Sequence, residues 1–360
     1  MNFEDIWKIR PYETDQKEKE KLLTKRLLEL TRLHQQNCLP YSRMLRSAGF
    51  DAGQCRRLEE IPFLPVRLFK QLSLKSVPDE QIIKTMTSSG TTGQEVSRIY
   101  LDRTTAADQQ KAMVKIVSSF TGAARMPMIV IDSRSVVKNR VRFSARGAGI
   151  LGFSMFGSKI FYALDDDMKL DVKGLLQFLA LYGGQKILLF GFTFMVWQHF
   201  YQELERLKAD GICMDLSDAV LIHGGGWKKL ISMAVGPAEF RSRLRDVCGI
   251  VSVHDYYGMV EQTGGIYMEC EYGHLHAGIF SDIIIRRPLD FGLCETGEEG
   301  IIQAVSTIPE SYPGHSILTE DVGVIEGMDD CPCGRKGKYF NVRGRLAHAQ
   351  IRGCSDTYAG

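Results

Sequence analysis

The sequence predicts an α/β protein in which a mostly parallel sheet, flanked by helices, is accompanied by a smaller β-rich part. Two observations carry this. Between residues 127 and 262, short apolar runs bounded by glycine recur, with amphipathic stretches between them: PMIVID (127–132), KILLFG (186–191), AVLIHGGG (219–226) and IVSVHDYYG (250–258). Such alternation is the pattern of βαβ units, whose ligands gather at the carboxyl ends of the strands. After about residue 270 the texture changes to IFSDIIIRR, GIIQAVST and ILTEDVGVIEG, strands separated by turn residues rather than by helices.

In chain order, residues 17–48 place Leu22, Leu23, Leu27, Leu28, Leu30 and Leu33 at helical spacing, which predicts an N-terminal helical segment. IPFLPVRLFKQLSL (61–74) is a proline-broken connector into the first strand. The expected division is therefore 1–80, helical segment and connector; 81–268, α/β core; 269–345, β-rich subdomain; and 346–360, tail. No repeat or low-complexity stretch interrupts it.

Bulk properties narrow the function. The 360 residues hold 45 Lys and Arg against 43 Asp and Glu, a net charge of +2, so no global field directs the protein to nucleic acid or an anionic membrane, and a small-molecule substrate is expected. MNFEDIWKIRPYE has neither a basic nor an apolar leader region, and no run is apolar for long enough to span a bilayer, so a soluble, cytoplasmic protein without membrane insertion is expected. The nine cysteines then read as reduced thiols or metal ligands rather than disulfides.

Several short stretches carry chemistry. SSGTTG (88–93), set between the strand-like QIIKTMT and QEVSRIYLDR, buries too little apolar surface to be a core element. It fits either a surface loop or an anion cradle of backbone N–H groups and the hydroxyls of Ser88, Ser89, Thr91 and Thr92. The absence of a lysine after its second glycine excludes a Walker A loop. GGG at Gly224, Gly225 and Gly226 fits a tight strand-to-helix turn or a close backbone approach by a ligand. Cys270 and His276, with His274 as the alternate, and Cys331 with Cys333 form a possible S₃N set for Zn²⁺; the other reading is reduced surface thiols. His223 and His254, at the ends of apolar runs, are candidates to line a pocket or to be simply hydrogen-bonded.

TSSGTTGQ, GGG (224–226), YYGMVEQ (256–262), TED (319–321) and GR (344–345) occur in the order and approximate spacing of the adenylate-forming superfamily, over about residues 60–354. With IPFLPVRLFK upstream and RGCS (352–355) near the end, the chain most resembles its acyl-protein synthetase (LuxE-type) branch, with phenylacetate–CoA ligases as relatives. The resemblance implies the large N-terminal-type domain of these enzymes, and ATP and Mg²⁺ as cofactors. It implies that Thr87, Ser88, Ser89, Gly90, Thr91, Thr92 and Gly93 wrap the β- and γ-phosphates, that Gly224, Gly225 and Gly226 admit the adenine, and that Tyr257 stacks on it. Glu261 would hold Mg²⁺, Asp321 the ribose hydroxyls, and Arg345 the ribose or a phosphate. Two positions depart from the pattern: Val260 replaces a threonine whose hydroxyl would lie near the α-phosphate, and Glu320 replaces a glycine. Some phenylacetate–CoA ligase relatives keep the cysteine pattern, which favours a structural zinc at Cys270, His276, Cys331 and Cys333.

Relatives usually continue into a C-terminal lid domain bearing a catalytic lysine, whereas this sequence ends at Gly360, so the resemblance implies that the lid is absent. Lys84, Lys228 or Lys229, or a partner protein, would then substitute. The resemblance also implies that Cys354 receives the acyl group, with Arg352 favouring its thiolate and Gly353 giving reach. The expected function is activation of a carboxylic acid, most simply a fatty acid, to acyl-AMP and transfer to a protein thiol, with an acyl-accepting or reductase partner. A truncated aryl- or acyl-CoA ligase and a non-catalytic nucleotide-binding subunit are the alternatives.

Overall fold

The computed structural model describes residues 3–88, 96–137, 145–227 and 233–346. After a single turn, α1 (Phe3–Ile6), the chain enters α2 (Gln16–Asn37). Asp15 caps that helix by accepting a hydrogen bond from the Glu18 amide at 2.9 Å. α3 (Leu39–Ser47) follows, with Pro40 in its first turn, where a missing N–H breaks no helical bond. Then come β1 (Leu64–Pro65), α4 (Leu68–Gln71), β2 (Lys84–Thr87), β3 (Arg98–Leu101) and α5 (Arg103–Thr121). The middle of the chain forms β4 (Met126–Ser133), α6 (Ala145–Phe153), β5 (Gly157–Leu164), α7 (Val172–Tyr182), β6 (Ile187–Phe192) and α8 (Thr193–Met195). A π-helical turn (Val196–Tyr201), α9 (Gln202–Ala209), β7 (Ala219–Gly224), α10 (Pro237–Cys248) and β8 (Ser252–Tyr257) complete it. Six further strands close the described chain: β9 (Tyr267–Glu269), β10 (Leu275–His276), β11 (Ser281–Arg286), β12 (Gly300–Ser306), β13 (Ser316–Met328) and β14 (Lys338–Arg345).

Among the described residues two compact units result, one from those up to Phe120 together with 258–346, the other from Thr121–Tyr257. In the second unit β8, β7, β6, β4 and β5 lie side by side in that order, each neighbouring pair parallel. β4, β6 and β7 are buried along their whole length, which is why they read as unbroken apolar runs instead of an alternation. Ile129, Ile131, Leu189, Leu221 and Val253 pack with Phe200, Leu204 and Leu244 of the covering helices. The expected parallel α/β core is thus present.

The first unit has the antiparallel order β11-β12-β13-β14-β10-β9, as the texture after residue 270 predicts, with β2 and β3 as a separate antiparallel pair. The N-terminal segment belongs to this unit. Leu23, Leu27 and Leu30 of α2 pack on Ile284 and Val305, and the connector adds β1 in parallel to β13 through Leu64 and Pro65. Among the described residues, no helix is long and apolar enough to cross a membrane.

Candidate active site and cysteine cluster

In the second unit, the expected ligand face is the carboxyl end of the parallel strands. β7 ends at Gly224, where an added Cβ would lie 2.4 Å from the Tyr256 ring, so only glycine fits. Gly225 follows at φ 75°, in the left-handed region. Of the two adjacent tyrosines, Tyr257 is buried and Tyr256 is the half-buried one whose ring covers the glycine turn. The sequence reading named Tyr257 alone; strand alternation separates the two tyrosines only once the phase of β8 is known. His223, one residue before the turn, has Nδ1 3.0 Å from the Thr193 hydroxyl and 3.7 Å from an Asp255 carboxylate oxygen. Burial drives its pKa down to about 3, so it is neutral. His254 instead lies 3.1 Å from the Ser252 hydroxyl. Phe153, Phe190 and Phe192 pack beside these strand ends, with Phe153 stacked on Phe190 at 4.2 Å.

In the first unit, β2 delivers Thr87 and Ser88. Ser88 closes the β2–β3 pair, its hydroxyl accepting from the Ser97 amide at 2.9 Å while its own amide donates to the Ser97 carbonyl at 3.2 Å. Lys84 is exposed on the same strand. Glu261 sits on a single 3₁₀ turn, Val260–Gln262, and is buried. The turn is held from behind: the fully buried Tyr312 donates its hydroxyl to the Glu261 carbonyl at 2.9 Å, and the Gln262 amide group donates to the carbonyls of Ala304 and Gly314 at 3.0 and 2.9 Å. Gly264 is required nearby at φ 88°, since a Cβ there would meet the Gln109 carbonyl oxygen at 2.5 Å. Asp321 and Arg345 are cross-strand partners on β13 and β14, both largely buried. Glu320, at the position that departs from the adenylate-forming pattern, is paired with Arg67 from the connector. Sequence reading noted the odd glutamate but not its partner, which lies 253 residues away.

Ser89, Gly90, Thr91, Thr92, Gly93, Lys228, Lys229, Arg352, Gly353 and Cys354 lie outside the described residues. Gly226 is buried at the end of the turn.

The cysteine cluster is assembled from three elements. Cys270 follows β9, His276 ends β10, and Cys331 and Cys333 occupy the turn between β13 and β14. The donor atoms of Cys270, His276, Cys331 and Cys333 all lie within 4.8 Å of one another. Cys270 Sγ is 3.9 Å from Cys331 Sγ, and Cys333 Sγ is 3.3 Å from His276 Nε2. A tetrahedral ion with bonds of about 2.3 Å to sulfur spaces its ligand atoms by about 3.7 Å, so the donor set fits Zn²⁺. His274, the alternate, has Nδ1 3.4 Å from Cys331 Sγ.

This architecture has known counterparts. A 2-hydroxyisobutyryl-CoA ligase in its postadenylation state, in complex with R3-HIB-AMP, superposes with a TM-score of 0.71 over 95% of this chain and 71% of its own, at 16% identity. An open conformation of such a ligase, in complex with 2-HIB-AMP and CoA, matches at a TM-score of 0.71 over 96% of this chain and 79% of its own, at 17% identity. The fold is therefore that of the adenylate-forming ligases. A long-chain-fatty-acid–luciferin-component ligase of Aliivibrio fischeri is 24% identical over 310 residues, 83% of this chain and 78% of that protein. The model of the family "Acyl-protein synthetase, LuxE" matches residues 2–359, and the chain belongs to that family. It is accordingly a ligase that activates a carboxylic acid with ATP and passes the acyl group to protein.

Proposed function

We propose that the acid is a fatty acid, that it is activated as acyl-AMP in a reaction needing Mg²⁺, and that Cys354 takes the acyl group. The observation carrying this is the whole-chain family match, joined to the similarity to a ligase named for long-chain fatty acids. A carboxylate oxygen of the acid attacks the α-phosphorus of ATP; the new acyl–O–P bond forms as the bond to pyrophosphate breaks, and pyrophosphate leaves with the electron pair. A thiolate then attacks the acyl carbon, a C–S bond forms, and AMP departs.

The residues divide this work. Thr87 and Ser88 begin the phosphate-holding stretch completed by Ser89 to Gly93. Gly224, Gly225 and Gly226 admit the adenine, with Tyr256, whose ring already covers the turn, better placed to stack than the buried Tyr257. Asp321 accepts from the ribose hydroxyls, and Arg345 holds Asp321 in place and adds a fixed cation. Glu261 offers the hard oxygen that Mg²⁺ prefers, and the ion when bound offsets charge on the phosphate oxygens. In the cysteine cluster, Cys270, His276, Cys331 and Cys333 would hold a structural Zn²⁺ with all positions filled, clipping the strands together rather than joining in the chemistry. The cytoplasm is the expected compartment, and a reductase or acyl carrier the expected partner.

The test is to incubate wild type and Cys354→Ser with ATP, Mg²⁺ and labelled fatty acids, with and without CoA, then digest and locate the label. A hydroxylamine-labile acyl group on Cys354 that disappears in the variant, with pyrophosphate exchange retained, is the expected result. Label on another residue, or acyl-CoA as the product, would replace the Cys354 reading with the CoA-ligase one.

A further inference from the structure

α6 carries Arg146, Gly149 and Phe153 at i, i+3 and i+7, a spacing that puts them on one face of the helix. That face lies over the carboxyl ends of β4 and β6. A Cβ on Gly149 would stand 3.1 Å from the Phe192 ring, and Phe153 stacks on Phe190. Arg146 is thereby carried to the end of β4, where its Nε lies 3.0 Å from Oδ2 of Asp132, a carboxylate with no exposed surface. The other Asp132 oxygen accepts from the Ser133 amide at 2.7 Å, which holds the carboxylate beside the guanidinium as its counter-charge. Nη1 of Arg146 lies 3.9 Å from the Met195 sulfur, a weak acceptor, and the side chain keeps 30% of its surface exposed.

The location matters. Phe192 is in register with Gly224 on β7, and β4 is the next strand beyond β6, so the Asp132–Arg146 pair stands about two strand spacings, roughly 10 Å, from the glycine turn assigned above to the adenine. A ligand anchored at that turn and extending across the strand ends passes over buried aromatic rings and reaches a guanidinium.

We propose that Arg146 is a specificity residue for the acid and donates a hydrogen bond to an oxygen on the acyl chain, so that the preferred substrates are hydroxy- or oxo-acids rather than plain alkanoic acids. The proposal rests on the strand-end reading of the site given above. Charge selects the neutral oxygen over a second carboxylate. Asp132 already neutralises the guanidinium, so another anion would place two negative charges around one cation in a half-buried setting, whereas a hydroxyl or carbonyl oxygen takes the N–H without that penalty. Replacement of the thioether by a better acceptor also supplies the preference, because a site built to hydrogen-bond a substrate oxygen discriminates against the analogue lacking it.

The test uses the full chain in ATP–pyrophosphate exchange with straight-chain acids of graded length, each paired with its hydroxy- and oxo-substituted counterpart. Two variants are compared with wild type: Arg146→Met, and Asp132→Asn/Arg146→Met, which avoids leaving a buried carboxylate without its cation. Wild type is expected to favour the oxygenated member of the matched pairs by about tenfold or more in kcat/KM, and both variants to bring that ratio close to parity. A wild-type preference for the plain acid, parity in wild type, or a ratio that survives in variants melting at the wild-type temperature overturns the inference alone. Exchange with no acid of either series overturns the strand-end reading, and the inference with it.

Discussion

Asp321 and Arg345 face each other across β13 and β14, with Oδ1 of the aspartate 3.2 Å from Nε of the arginine. The aspartate is also fixed through its backbone, its amide donating to the Thr319 hydroxyl at 3.1 Å. A carboxylate held this way keeps its orientation without a rotamer cost on binding, as the ribose-holding role proposed for it requires. Asp321→Asn is expected to raise the KM for ATP by about tenfold or more, from the loss of charge-assisted hydrogen bonds of about 1.5–3 kcal/mol. The check is pyrophosphate exchange against ATP concentration alongside a melting curve. A lowered melting temperature with an unchanged KM would assign the pair to stability only.

Glu261 and Tyr312 give a matched pair of variants. Glu261→Gln keeps the shape of the side chain and removes the charge assigned to Mg²⁺, so exchange should fall by about a hundredfold and recover in part at high Mg²⁺. Tyr312→Phe removes only the hydroxyl that supports the Glu261 carbonyl, and is expected to cost about 1–3 kcal/mol of stability through the unsatisfied buried carbonyl, with a smaller loss of rate. Wild-type turnover in Glu261→Gln would remove the metal assignment.

His34 and His315 form a stacked pair with ring centroids 4.9 Å apart. His34 meets the Ser76 hydroxyl at 2.8 Å and the Pro309 carbonyl at 3.1 Å, while His315 meets the Thr31 hydroxyl at 2.9 Å. Burial drives His34 down to about 3 and His315 well below the ordinary range. Both folded values lie below the unfolded value of about 6.5, so between those limits the unfolded chain binds protons that the folded chain refuses. Their contribution is therefore present above about pH 6.5 and is lost as the pH falls, by up to about 1.4 kcal/mol per pH unit for each histidine. Urea unfolding from pH 7 to pH 4 should show that slope, and His34→Asn should reduce it by about one proton. An unchanged slope in the variant would mean that this histidine does not drive acid unfolding.

The legibility of the fold followed burial. β4, β6 and β7 were readable because both their faces are covered, leaving continuous apolar runs. β5 was not, because it is the edge of its sheet and exposes Ser158, Lys159 and Ile160, which breaks both the run and the alternation. For the site, the glycine turn, Asp321 and Arg345 could each be named by motif, but not the pairing of Asp321 with Arg345 across β13 and β14. The Arg67–Glu320 and Asp132–Arg146 pairs could not, since each depends on elements that only the folded topology brings together. Arg146 did leave a trace, its helical phase with Gly149 and Phe153, but that pattern gains meaning only when the strand beneath is known.

The cysteine cluster is tied to the N-terminal segment, and this gives the zinc assignment a consequence that can be measured apart from activity. Tyr12 sits edge-on to the His276 ring at 6.1 Å, and Arg335, two residues past Cys333, lies over Phe120 at 4.0 Å. The Lys336 amide donates to the Tyr12 carbonyl at 2.9 Å. Asp329 accepts from the amides of Gln16 and Gly337 at 3.0 and 2.8 Å, and the Lys338 amide donates to the Gln16 side chain at 3.1 Å. The turn that carries Cys331 and Cys333 is thus the docking surface for residues 11–16. Burial, with the neighbouring thiols adding to it, pushes Cys331 up to about 12, and burial raises Cys270 as well; a dication favours the thiolates and fixes the turn. Protein purified from zinc-sufficient medium is expected to hold about one zinc per chain, and Cys331→Ser to release it. The same variant should melt lower and should be cut faster by trypsin after Lys17 than within α5, because loss of the turn frees the start of α2 before the core opens. Metal-free protein with wild-type melting and wild-type protection at Lys17 would show that the cluster is only a set of reduced thiols.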